Sequence, residues 1–420
     1  MLLGVLSSFG FAACTSEELP REATTTAGVP LPECPSIATT PCNTLEATCQ
    51  DKLLSLAVCM YGVDNRPNVP IRVVPEEELI DELQGRINGA NPADDPRQVH
   101  FERAMSELLL MQPNQLTGEG GTAEDFVDRI DGYYLNPHDG ITLVDRGMPR
   151  DNADANAVLL HELVPAVQDA EYDFATWDAA AGPDYDTKLA RLSVPEGQAT
   201  MYQYRAQIAM MGRDPAKIDW EISFDELRDR IVGYAHKDKS PYFAARTTFP
   251  YAHGALLAYR AWQSNGPRYH TAQFGEPPER TLDVMLASYE KPEVTVKPRL
   301  VEPPLPAPYV SVDHGVLGAF MVELFAHQAG ANSNAAQALG LAWRADSIWI
   351  CRNGDDTGYL WEIAFDSPES ANDFQALSAL PENVALEAQG ERVFLAGSGT
   401  PPDFFLETGR KFLAAAQSGP

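Results

Sequence analysis

From Ala155 to Ala170 the apolar positions Ala155, Leu159, Leu163, Ala166 and Ala170 recur at intervals of three and four, the repeat of one buried helical face. Asp151 and Asp154 stand just ahead of this run, where acidic side chains favour a helix N-terminus. A long helix through His161 and Glu162 is expected, and it constrains what the chain can become more than any other stretch. Histidines at i and i+4 on such a helix present two imidazoles on one face, the spacing zinc requires, with the glutamate after the first as general base. Here position 165, four after His161, is proline. Proline offers no lone pair to a metal. Inside a helix it also deletes a backbone hydrogen bond and clashes with the carbonyl of residue 161, at a cost of about 3 kcal/mol.

The rest of the chain reads as α+β, mostly helical. With 420 residues and 44% hydrophobic side chains it can bury a large core and form two or three units. Residues 1–14 read as a leader and 15–33 as a flexible stalk rich in Ser, Thr, Glu and Pro. Residues 34–75 form a cysteine-containing element, with Leu53, Leu54, Leu56 and Val58 suggesting a stapled helix. A helical domain is expected over 76–291, from Leu79, Ile80, Leu83 and Ile87 and from Phe101, Met105 and Leu108, with a helix starting at Pro96. Inside it, β-formers flank Asn136-Pro137-His138-Asp139-Gly140, predicting a β-hairpin over 132–144. The prolines of 292–310 mark a connector. Beyond it, 311–420 reads as a small α+β region: strands at Ser347–Cys351 and Tyr359–Phe365, a helix opened by Ser367-Pro368-Glu369, and a last strand near Val393–Leu395.

Charge and cysteine usage narrow the setting. A net charge of −29 repels phosphate backbones, so nucleic acid is not an expected partner. Met1–Ala13 is apolar but too short to span a bilayer, and Phe11-Ala12-Ala13-Cys14 resembles a bacterial lipobox in which Cys14 is lipidated, although no basic residue precedes it. Export to the cell envelope is expected, with contact to the membrane by lipid anchor alone, or secretion if the segment is an ordinary signal. Cys34, Cys42, Cys49 and Cys59 lie close together without a Cys-x-x-Cys spacing, so two disulfides are expected in one of three pairings. Cys351 stands alone on a predicted strand and reads as a buried thiol rather than a nucleophile. There is no Gly-x-Ser-x-Gly elbow, Walker A loop or Gly-x-Gly-x-x-Gly signature.

Several segments together resemble a bacterial family of gluzincin-type zinc metallopeptidases, often lipoproteins. They are Gly132-Tyr133-Tyr134, His161-Glu162 with Gln168-Asp169, Glu196-Gly197-Gln198-Ala199-Thr200, Phe249-Pro250-Tyr251-Ala252-His253-Gly254 and Pro277-Pro278-Glu279-Arg280-Thr281. The likeness runs over roughly 120–380 and implies a gluzincin-like helical core. It also implies His161 as first zinc ligand, Glu162 as general base and Glu196 as third ligand, while the second ligand has no counterpart. His253, in a matching segment, and Asp169, two turns beyond His161, are the candidate replacements. Pro195, directly before Glu196, reads either as a second disturbance of the scaffold or as the first residue of a new helix.

These features predict a degenerate metallopeptidase-like envelope lipoprotein, its zinc lost or weak, that holds a peptide or protein without cleaving it. A working zinc peptidase with a replacement ligand is one alternative, and an envelope interaction module is the other. Without the resemblance, His161-Glu162 is a polar pair on a helix, Glu196 a helix-start acid, and Tyr133, Tyr134, Phe249 and Tyr251 core aromatics.

Overall fold

The computed structural model describes residues 28–89, 96–111, 123–127, 130–135, 138–182, 184–238, 240–287, 305, 307–398, 404, 406–408, 410 and 411. The leader, Cys14 and most of the stalk and of the proline-rich connector lie outside these residues. What is described is a mixed α+β fold, mostly helical.

The N-terminal element is a staple around α1 (Ala47–Tyr61), whose buried face holds Cys49, Leu53, Leu56, Ala57 and Met60. Cys34 pairs with Cys59 and Cys42 with Cys49, at Cα separations of 6.0 and 5.6 Å, which settles the pairing. Stalk character ends earlier than the composition suggests. Val29 N–H donates to the Ala209 carbonyl at 2.9 Å, Leu31 is fully buried, and Glu33 pairs with Arg205 at 2.8 Å. One large apolar residue and one acid are enough to dock a segment whose remaining residues are small and polar.

The expected hairpin forms from β2 (Gly132–Tyr134) and β3 (Ile141–Asp145), and β1 (Ile71–Pro75) adds to it in parallel, giving the order β1-β3-β2. The cysteine-containing element therefore ends in a strand, whose partner lies some seventy residues away and leaves no local signal. Three helices lie between β1 and β2 along the chain: α2 (Glu76–Gly89), α3 (Pro96–Glu107) and α4 (Ala123–Val127).

The helical core follows as α5 (Ala153–Tyr172), α6 (Phe174–Ala179), α7 (Tyr185–Met210), α8 (Trp220–Lys237), α9 (Pro241–Asn265), α10 (Tyr269–Gly275) and α11 (Thr281–Met285). Asn152 caps α5 by accepting from Ala155 N–H at 2.8 Å. α7 lies between α5 and α9 and meets α9 at Gly197 and Gly254: a Cβ on Gly197 would stand 2.2 Å from the Gly254 carbonyl carbon. Only glycine lets these backbones approach so closely. Prolines lie inside all three of these helices, at 165, 195 and 250. Pro195 thus does not begin a helix. α7 runs through it, because burial of Ser193–Tyr202 against both neighbours outweighs the lost backbone hydrogen bond.

The C-terminal part carries β4 (Val310–Gly315), α12 (Ala319–Gln328), α13 (Ser333–Ala342), β5 (Trp343–Asn353), β6 (Asp356–Phe365), α14 (Pro368–Gln375), β7 (Val384–Gln389) and β8 (Arg392–Ser398). Its antiparallel sheet has the order β4-β5-β6-β8-β7. It shares a buried core with the helices: one apolar cluster runs from Leu31 through Leu163 and Phe320 to Leu395. Asp346 closes the junction, accepting from the amides of Leu317 and Gly318 and from the indoles of Trp343 and Trp361 at 2.8–2.9 Å. Gly318, at φ 90°, is required there, since a Cβ would stand 1.8 Å from Asp186 Oδ1. Among the described residues no helix is long and apolar enough to cross a membrane.

Candidate functional site

α5 is buried continuously from Leu159 to Gln168, so the side chains of its middle turns meet protein on every side. His161 Nδ1 lies 2.9 Å from Gln203 Oε1 on α7, and Nε2 lies 3.3 Å from Glu196 Oε2. An amide oxygen at Nδ1 can only accept, so Nδ1 carries hydrogen and Nε2 is presented to the carboxylate. Tyr251 of α9 completes the shell, its ring near-parallel to the imidazole at 5.6 Å and its hydroxyl bonding Glu196. Glu162, fully buried, lies beside Gly132 of β2.

The pair shares a proton. Burial disfavours the charged imidazole, but the hydrogen bond to Glu196 and the charges of Glu162 and Glu196 outweigh it and raise the His161 pKa. Burial raises the Glu196 pKa as well, against the opposing pull of His161 and Tyr251. A group of this kind is a neutral or internally compensated pair, closed to solvent, with His161 and Glu196 each only 3% exposed.

The donor set can be tested against zinc. Ligands held tetrahedrally at about 2.0–2.2 Å from the ion stand about 3.3–3.5 Å from one another. His161 Nε2 and Glu196 Oε2 fit one such edge. Pro165 occupies the next turn of the same helix and supplies nothing. His253 is turned into aromatic packing, with Phe249 at 4.8 Å and Phe320 at 5.6 Å, and burial followed by the charge of Arg228 pushes its pKa down to about 3. Asp169 accepts from the Tyr134 hydroxyl at 2.7 Å and from Phe174 N–H at 2.8 Å. Neither candidate replacement joins His161 and Glu196. Among the described residues no group of three or more His, Cys, Asp or Glu side chains is arranged to hold a metal. A three-ligand catalytic zinc does not fit the residues present.

Other singled-out residues have structural employment. Gln168 Nε2 donates to Gln198 Oε1 at 2.8 Å, tying α5 to α7, and Gln198 Nε2 continues to Gln273 at 2.7 Å. Cys351 is buried and its thiol is pushed up to about 12 by burial, which removes it as a nucleophile. Sequence reasoning misses Gln203, seven residues after Glu196, and gives Tyr251 no role at His161 and Glu196; the helical spacing of Gln203 from Glu196 is the available signal. Comparison with protein-family models, curated proteins and solved structures finds no match for this chain.

Proposed function

We propose that this chain is a degenerate zinc-metallopeptidase-like protein of the cell envelope, keeping the gluzincin-like helical framework without peptide-cleaving chemistry and serving to hold a peptide or protein. The observation that carries this reading is Pro165, inside an unbroken α5, one turn beyond a His161–Glu196 pair still set at the spacing of two zinc ligands. Further support comes from the meeting of segments far apart in sequence: Gly132 against Glu162, Gln168 against Gln198, and Tyr251 against both His161 and Glu196. Two disulfides in the first described segment favour an oxidising compartment outside the cytoplasm.

An active peptidase needs a third ligand and a route for water to Glu162. The His253 ring packs against Phe249 and Phe320, Asp169 is bonded to Tyr134 and Phe174, and Glu162 is wholly covered. The test is cleavage of a mixed peptide library by the purified full chain, with and without added zinc, beside Glu162→Gln. The expected result is the same background for both proteins. Zinc-dependent cleavage lost in Glu162→Gln would refute the proposal.

A further inference from the structure

A second buried histidine–glutamate pair lies away from α5, and it differs in what its histidine faces. His236, near the end of α8, places Nε2 3.1 Å from Glu323 Oε1 on α12. Its other ring nitrogen, Nδ1, lies 3.3 Å from the hydroxyl of Ser333, the first residue of α13. His236 is 7% exposed and Glu323 1%, while Ser333 is exposed. Three helices thus bring an exposed hydroxyl, a covered imidazole and a fully covered carboxylate into one line.

The direction of the line follows from donor and acceptor rules. A carboxylate at Nε2 accepts, so Nε2 carries hydrogen and Nδ1 is left with its lone pair toward Ser333 Oγ. That is the tautomer in which the imidazole acts as base toward the hydroxyl. The pair is braced: Gln328 Nε2 donates to the His236 carbonyl at 3.2 Å, and the His327 ring packs edge-on to His236 at 4.0 Å. Burial, with the charge of His236, pushes His327 down to about 4, so at neutral pH it adds no competing positive charge. Arg228 and Asp229 of α8 are the other charged groups acting on Glu323. The Oε2 of Glu323 has no hydrogen-bond partner among the described residues, so the carboxylate meets His236 Nε2–H through Oε1. At the hydroxyl end, Asn332 caps α13 by accepting from Ala335 N–H at 3.0 Å. The amides of Ser333 and Asn334 are the first of the helix, have no intrahelical acceptor, and lie where the helix favours negative charge.

We propose that Ser333, His236 and Glu323 form a nucleophilic relay at the protein surface, reactive toward small activated carboxylic esters and independent of the His161 site. Ser333 Oγ attacks the ester carbonyl carbon while its proton passes to His236 Nδ1. The imidazolium is held by Glu323 through Nε2–H, and the oxyanion forms at the start of α13. Collapse breaks the bond to the leaving alcohol, which takes the proton from Nδ1 and leaves Ser333 acylated. Water then attacks the acyl group, gives its proton to Nδ1, and Ser333 Oγ departs with that proton, so ester and water become acid and alcohol.

The test is labelling of the full chain by a fluorophosphonate probe, with the modified residue located by peptide mass spectrometry and the rate followed from pH 5 to 9. The expected result is stoichiometric label on Ser333, lost in Ser333→Ala and slowed about 100-fold or more in His236→Asn. The rate should fall toward low pH, as for any hydroxyl that needs a base to take its proton. Glu162→Gln should label as the unmodified chain does. Label absent from Ser333, or an unmodified-protein rate that is flat across the pH range, would overturn the proposal, and the second readout stands even if His236→Asn does not fold.

Discussion

His161–Glu196 and His236–Glu323 are the same device in two settings. Both are buried imidazole–carboxylate contacts, at 3.3 and 3.1 Å, each bridging two helices. In the first, the far ring nitrogen meets Gln203, whose carboxamide has no chemistry to transmit, and Tyr251 covers the ring. In the second, the far nitrogen meets an exposed hydroxyl. A buried pair stores one proton either way. Whether that proton can do work depends on the third group and on solvent reaching it, which is why the pair carrying the more suggestive motif is the inert one on the function proposed above.

Removing one partner breaks this comparison most severely. Glu196→Ala leaves His161 buried with no compensating carboxylate and is expected to destabilise the fold by about 3–5 kcal/mol. A chemical denaturation midpoint checks it, and labelling of Ser333 under native conditions should survive wherever the variant remains folded. A loss below about 1 kcal/mol would mean that His161 is held by Gln203 and Tyr251 alone.

The two regions also differ in their staples. The cysteine element clamps directly onto α5, since the Asn156 side chain accepts from Cys42 N–H at 3.1 Å and donates to the Cys42 carbonyl at 2.7 Å. By loop-closure entropy, replacing Cys34 and Cys59 by Ser should cost about 3.5 kcal/mol and replacing Cys42 and Cys49 about 2.4 kcal/mol. Reductant should therefore lower the thermal midpoint in that order of contributions, with near-native labelling of Ser333 at 25 °C.

The smallest expected effect concerns the junction between the helices and the C-terminal sheet. Burial raises Asp186 to about 8 and Asp346 to about 6, against an ordinary 3.8. Both carboxyls bind protons more tightly folded than unfolded, so their contribution is fully present below about pH 4 and is lost as pH rises to about 8. Asp186→Asn, which keeps an acceptor for Thr281, should flatten the decline in thermal midpoint between pH 5 and 8. An unchanged slope would assign the decline to other groups.

The sequence was legible where the signal is local. Helical spacing marks α5, Pro96 marks the start of α3, and Asn353-Gly354 marks the turn from β5 to β6, with Gly354 at φ 61°. Signals that depend on distant partners were not legible. β1 is a strand because of Ile141–Asp145, α7 ignores Pro195 because α5 and α9 bury it, and Leu31 packs because a site is waiting for it. Of the candidate site, the nearness of His161 to Glu196 was implied by the family resemblance, not by the residues taken by themselves. Gln203 had only a helical spacing to betray it, and the relay at Ser333 draws on α8, α12 and α13, so no motif could announce it.

On the function proposed above, α5 is a ligand helix disabled at one position, Pro165. The most direct test is zinc content by mass spectrometry of the full chain after equilibration with equimolar zinc, beside Pro165→His. Far less than one zinc per chain is expected in the unmodified protein and close to one in Pro165→His. Near-stoichiometric zinc in the unmodified protein, lost in His161→Ala, would contradict it.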